Sequence, residues 1–118
     1  MRILVVDDDA LSAELTAAIV ASRQHVPIIA HNAMEAVLSL EAEPEIALII
    51  SDLNMPLVSG LELYTMLCEQ GVTLPFILLT GDDAGPMPGN TPGLRACLQK
   101  RADLAFTLGE AVDQALSG

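Results

Sequence analysis

The chain has 118 residues and 52% apolar content, which fits a single domain spanning residues 1–118 and excludes intrinsic disorder. Five Lys and Arg against sixteen Asp and Glu leave a net charge of −11, with 3% aromatic residues and no Trp. Such a surface repels phosphate backbones and anionic membranes and offers bases no stacking platform, so direct nucleic-acid binding is not expected. The longest apolar runs, such as Ile46 to Ile50, fall far short of the roughly 20 residues a membrane span needs. Asp7, Asp8 and Asp9 arrive too early for a signal peptide.

Arg2–Val6 reads as a first strand. Leu11, Leu15, Ala18 and Ile19 recur at helical spacing and predict a helix over about residues 10–23. Val26–Ala30 is a second strand. Asn32 with Glu35 resembles a capping box, and Ala33, Val37 and Leu40 share a helical face before Pro44 ends the helix. Ile46–Ser51 is a third, wholly apolar strand. Ser59 with Glu62 forms another capping box, opening a helix to about Gly71 with Leu63 and Leu67 inward. Pro75–Leu79 and, more weakly, Arg95–Gln99 are strands four and five. Leu104, Leu108, Ala111 and Ala115 mark a last helix. Near-continuous apolar strands alternating with helices predict an α/β fold, a parallel sheet covered on both faces. Between strands four and five, residues 81–93 hold three prolines and four glycines, which forbid the crossover helix expected there and predict an irregular, mobile loop.

Ligands of such sheets bind beyond the carboxyl ends of the strands. Those ends deliver Asp7, Asp8 and Asp9, then Asp52, Thr80 and Lys100. Taken singly, each has a plain reading: an Asp after a strand caps a turn or helix, as is expected of Asp9, and a lone Thr or Lys is structural or solvated. Together, an acid pair, an acid, a hydroxyl and an amine on successive strand ends form a specific pattern. Asp7 or Asp8 beside Asp52 would repel and raise one another's pKa. A divalent cation removes the conflict, and Mg²⁺ is commonly held by one or two carboxylates plus water and phosphate oxygens.

Along essentially its whole length the chain resembles a response-regulator receiver domain of two-component phosphorelays, similar to the stand-alone chemotaxis type. The residues carrying the resemblance are Leu4 to Asp9, Ser51 to Pro56 with Gly60, Leu79-Thr80-Gly81, and Lys100. The intervals between them match, the last being slightly short. The resemblance implies a flavodoxin-like, doubly wound, five-stranded parallel sheet of order 2-1-3-4-5, with its fourth helix degraded to the Pro/Gly loop. It implies Asp52 as the phosphoacceptor. Mg²⁺ would be held by Asp8, Asp52 and the Asn54 backbone carbonyl, with Asp7 acting mainly through water. Lys100 would pair with one phosphate oxygen and Thr80 would hydrogen-bond another. The phosphoryl donor would be a histidine kinase or histidine phosphotransfer protein, and the signal would pass to an unknown downstream protein target, or the domain would shuttle or drain phosphate. Such a protein is not an enzyme in the turnover sense: it catalyses only its own phosphoryl transfer and dephosphorylation.

The sequence departs from the family in three places. Cys97 stands where a Tyr or Phe usually follows the Thr, so the usual Thr–aromatic switch cannot operate as described; Cys97 itself reads as a small buried hydrophobe. Arg101 replaces the Pro after Lys100, so a trans bond is expected there. The Pro/Gly loop alters part of the usual partner face. Asp82 reads as a loop charge. His25 and His31 read as surface or strand-end residues rather than metal ligands. Cys68 and Cys97, with no CxxC and no Cys/His cluster, read as free thiols of a reducing cytoplasm. The alternative reading is a receiver-fold docking module that works without phosphorylation. An Asp-nucleophile phosphatase is disfavoured, because no cap domain fits the length. Met1 directly before strand one fits a complete single-domain protein.

Overall fold

A computed structural model of the chain describes residues 1–81 and 93–117. The strands β1 (Arg2–Val6), β2 (Val26–Ala30), β3 (Ile46–Asp52), β4 (Phe76–Thr80) and β5 (Leu94–Gln99) form one parallel sheet of order β2-β1-β3-β4-β5. The helices are α1 (Ala10–Ser22), α2 (Ala33–Ala42), α3 (Gly60–Glu69) and α4 (Leu104–Ser117). The expected architecture and strand order are both present. Element boundaries differ from the sequence reading by one residue in places: β3 and β4 run on to include Asp52 and Thr80.

The apolar strands are explained by the two faces they bury. Successive side chains point to opposite sides of a strand. Ile3 and Val5 of β1, with Leu48, Ile50, Ile77 and Leu79, pack against Val20 of α1 and Leu108, Val112 and Ala115 of α4. Leu4 and Val6, with Ile49, Phe76 and Leu78, pack against Ala33 and Ala36 of α2 and Leu63, Tyr64 and Leu67 of α3. Each helix pair thus covers one half-core, and the strand ends between them stay open for polar groups.

Helix α1 packs on a face that its apolar periodicity does not mark. The helix is where the periodicity places it, but Leu11 and Leu15 are 67% and 62% exposed. The face on the sheet is Ala13, Thr16, Ala17 and Val20. Small residues let the α1 backbone approach the strands, and the leucines are displaced to its outer side. There Leu15 and Ile19, with Leu104, line a groove of about 470 Å³ between α1 and the start of α4.

The helix starts follow the sequence signals. Asp9 caps α1 by accepting from the backbone N–H of Leu11 and Ser12. Ser59 and Glu62 form the complete capping box of α3. Asn32 accepts from the Glu35 N–H, while the Glu35 carboxylate takes the N–H of His31, one residue before the cap. No peptide bond among the described residues is cis, so the Lys100–Arg101 link is trans as expected. No helix among the described residues is long and apolar enough to cross a membrane. The expected irregular loop, its missing fourth helix and Asp82 lie outside the described residues.

Candidate functional site

The order of the sheet puts the ends of β1 and β3 side by side, with β4 and then β5 beyond. Asp7 follows β1, and its backbone N–H donates to the Ala30 carbonyl, which fixes the turn. Its side chain, almost fully buried, accepts the Asp9 N–H on one oxygen at 3.0 Å and the Lys100 ammonium on the other at 3.1 Å. Asp52 ends β3 and is buried; Asp8 stands at the exposed mouth. One carboxylate oxygen from each of Asp7, Asp8 and Asp52 falls within 4.8 Å of the others.

Lys100 lies one residue past β5, and its N–H donates to the Thr80 carbonyl at 2.7 Å, extending the ladder. From there the side chain reaches over the sheet edge to Asp7, and its ammonium stands 3.4 Å from Asp52. The shortest contact of that ammonium is to Ser12 Oγ, at 2.8 Å. Ser12 was not among the residues picked from sequence. The signal available was its place in the first turn of the helix that Asp9 caps, directly after the acidic run.

Thr80 is buried at the end of β4, and its hydroxyl accepts from the Asn54 side-chain amide at 3.5 Å. The Asn54 N–H donates to Asp52 Oδ1 at 3.4 Å, so the backbone after the strand folds back beside the carboxylate. Gly60 closes this turn. Its N–H donates to the Leu53 carbonyl, and a Cβ in its place would collide with the Asp52 carbonyl oxygen. The start of α3 therefore rests directly on the peptide of Asp52.

Burial is the first cause of a raised Asp52 pKa, since it penalises the charged form. Lys100 opposes this, and Asp7 repulsion adds to it. Mutual repulsion, the cause expected from sequence, is thus secondary to burial. When all three acids ionise, one ammonium faces three carboxylates, and negative charge is left uncompensated. The donors are all hard oxygens, and the exposed Asp8 leaves an approach from solvent, so the set fits a hard divalent cation.

The other candidates sit elsewhere. Asp9 is taken up in capping α1. His31 places Nδ1 3.2 Å from the Asp7 carbonyl oxygen, and His25 faces the N-terminal amine at 3.2 Å. Neither belongs to the acid cluster. Cys97 is paired with Leu78 in the sheet register and packs against the half-core under α2 and α3. Burial raises its thiol pKa, which keeps it a thiol. Cys68 and Cys97 are not joined in a disulfide.

A family model described as response regulator receiver domain matches residues 3–106. Among solved structures, the response regulator TrrA of Thermotoga maritima, in complex with Mg²⁺-BeF, is similar at 26% identity, TM-score 0.84, over 97% of each chain. A response regulator receiver protein from Pseudomonas putida is 31% identical, with TM-score 0.80, over 96% of this chain and 95% of that one. The receiver domain of the hybrid histidine kinase CckA is 27% identical, with TM-score 0.77, over 98% and 99%. The search of curated proteins returned no match.

Proposed function

Because the chain belongs to the response regulator receiver domain family, we propose that Asp52 accepts a phosphoryl group from the phosphohistidine of a histidine kinase or phosphotransfer protein, in the presence of Mg²⁺. The observation that carries this reading is the convergence of Asp7, Asp8 and Asp52 within 4.8 Å, with the Lys100 ammonium 3.4 Å from Asp52. The complex of the similar TrrA with Mg²⁺-BeF supports it.

Asp7, Asp8, Asp52 and the backbone carbonyl of Asn54 would hold the cation. When bound, it would neutralise the charge on the phosphoryl oxygens as the group transfers to the acceptor. The chain's own part is positioning and charge. An Asp52 carboxylate oxygen attacks phosphorus, the P–N bond of the phosphohistidine breaks, and its electron pair returns to the imidazole. The product is an acyl phosphate on Asp52. The Lys100 ammonium, already between Asp7 and Asp52, pairs with a phosphoryl oxygen as charge develops. The buried Thr80 hydroxyl lies on the Asn54 side and hydrogen-bonds another. The protein catalyses only this uptake and the later loss of phosphate. It passes the signal on through protein contacts or acts as a phosphate shuttle or sink, and two cysteines not joined in a disulfide fit a reducing cytoplasm.

A second reading, a docking module indifferent to phosphate, is favoured by Cys97, which packs in the half-core and supplies no ring to follow Thr80. Incubation with phosphoramidate and Mg²⁺ separates the two. The proposed function predicts Mg²⁺-dependent labelling of the wild type and none of Asp52→Asn. An unlabelled wild type would leave the docking module.

A further inference from the structure

Lys100 lies just past the end of β5, the edge strand, while the acid cluster lies at β1 and β3. Its side chain therefore crosses the end of β4 before it meets a carboxylate. A lysine stem is flexible and its ammonium is a point charge with no preferred direction. Such a group settles wherever the negative charge is densest unless something fixes it from the far side. That fixed point is in the structure. Ser12 Oγ stands 2.8 Å from Lys100 Nζ, nearer than Asp7 at 3.1 Å or Asp52 at 3.4 Å.

Ser12 is itself well anchored. It is the third residue of α1, and its N–H is drawn to the capping carboxylate of Asp9. Helix α1 is pinned to the sheet by the buried Ala13, Thr16, Ala17 and Val20.

We propose that Ser12 is a positioning residue for Lys100: its hydroxyl holds the ammonium on the α1 side of the cluster, short of tight pairing with Asp52. This rests on the phosphoacceptor function proposed for Asp52. A hydroxyl suits the task because it is neutral. It occupies one ammonium donor without adding charge, so the carboxylates keep theirs for a cation and for phosphorus. Without it, the ammonium turns its free donor toward Asp7 and Asp52, competes with Mg²⁺ for them and damps the Asp52 nucleophile.

Four variants test this: Ser12→Ala, Ser12→Thr, Lys100→Met and the double variant Ser12→Ala with Lys100→Met, the last compared with Lys100→Met alone. Two quantities are measured. One is the Mg²⁺ dissociation constant, from amide NMR titration. The other is the initial rate of phosphoryl uptake from phosphoramidate. Loss of a hydrogen bond to a half-buried charge predicts Mg²⁺ binding about threefold weaker and uptake about fivefold slower in Ser12→Ala. Ser12→Thr, which keeps the hydroxyl, should return both to within about twofold of wild type. In the Lys100→Met background, Ser12→Ala should change neither, because a residue acting only through Lys100 has nothing left to act on. The proposal is overturned if Ser12→Ala matches wild type in both measurements, or if its loss is the same without Lys100, as a merely structural role would give. Should the wild type take no phosphoryl group at all, the function proposed for Asp52 fails. The Mg²⁺ titration then decides for Ser12 by itself: a shift that vanishes without Lys100 upholds its role, and no shift ends it.

Discussion

Replacing Gly60 with Ala perturbs the site without altering any of its functional side chains. Gly60 is the first residue of α3, seated on the end of β3. An added Cβ would collide with the Asp52 carbonyl oxygen and lie 2.9 Å from Leu78 Cδ2 and 3.0 Å from the Asp52 carbonyl carbon. Carbon atoms pack at about 3.5–4.0 Å, so the helix start and the strand end must separate by roughly 0.5–1 Å. The oxygen belongs to a backbone locked in the ladder and cannot swing aside as a side-chain tip would. Overpacking of this kind costs about 1–3 kcal/mol, and the better helix propensity of Ala returns up to about 1 kcal/mol of it. The net expectation is a loss of about 1–2 kcal/mol by urea denaturation. Asp52 moves with its peptide, and a misplacement of about 1 Å can slow a positioned reaction roughly a hundredfold. Uptake from phosphoramidate should therefore fall about 10- to 100-fold, far more than the stability loss alone explains. Gly81→Ala is the control, because a Cβ there meets nothing within 4 Å among the described residues. If Gly60→Ala is as stable as the wild type and takes phosphate within twofold of its rate, the argument that α3 positions the acceptor is refuted.

The raised pKa of Asp52 has a consequence for stability. The folded chain holds that proton to higher pH than the unfolded chain does, so the contribution is fully present below the ordinary Asp value of 3.8 and is lost as pH rises through the folded pKa. Asp52→Asn should thus be more stable than wild type at neutral pH, with the gain vanishing in acid; urea denaturation across that range measures it, and a loss of stability in Asp52→Asn at neutral pH would contradict it. Mg²⁺ should raise the melting temperature by binding the folded state, by about 2.7 kcal/mol of stability at a hundred times its dissociation constant. The effect should shrink sharply in Asp8→Ala, as read by calorimetry. Leu108→Ala, at a fully buried position under α4, should cost about 2–5 kcal/mol in urea while leaving Mg²⁺ binding unchanged.

The strands were legible because each is a short apolar run closed by a polar residue, as Asp52 and Thr80 close theirs, whereas their order in the sheet was implied only by the family resemblance. The capping residues Asn32 and Ser59 located their helices for the same local reason. The inward face of α1 was not legible. A hydrophobicity pattern favours Leu11 and Leu15, yet tertiary packing selects Ala13 and Ala17, whose value is close approach rather than apolar area. The acids and the lysine could be named from their strand ends, since topology alone gathers them. Ser12 could not, because its role depends on where a flexible side chain from the opposite edge of the sheet comes to rest. Nor could the cause of the Asp52 shift be ranked: the sequence shows neighbouring charges but not that the carboxyl is buried.

The central claim is that Asp52 becomes an acyl phosphate. Treatment with phosphoramidate and Mg²⁺, followed by borohydride reduction and peptide mapping by mass spectrometry, reads that bond directly, because reduction converts the phosphorylated aspartate alone to homoserine. Homoserine at position 52, absent when Mg²⁺ is withheld, is the predicted result. Homoserine at position 7 or 8 instead, or none at all in the wild-type chain, would contradict the account.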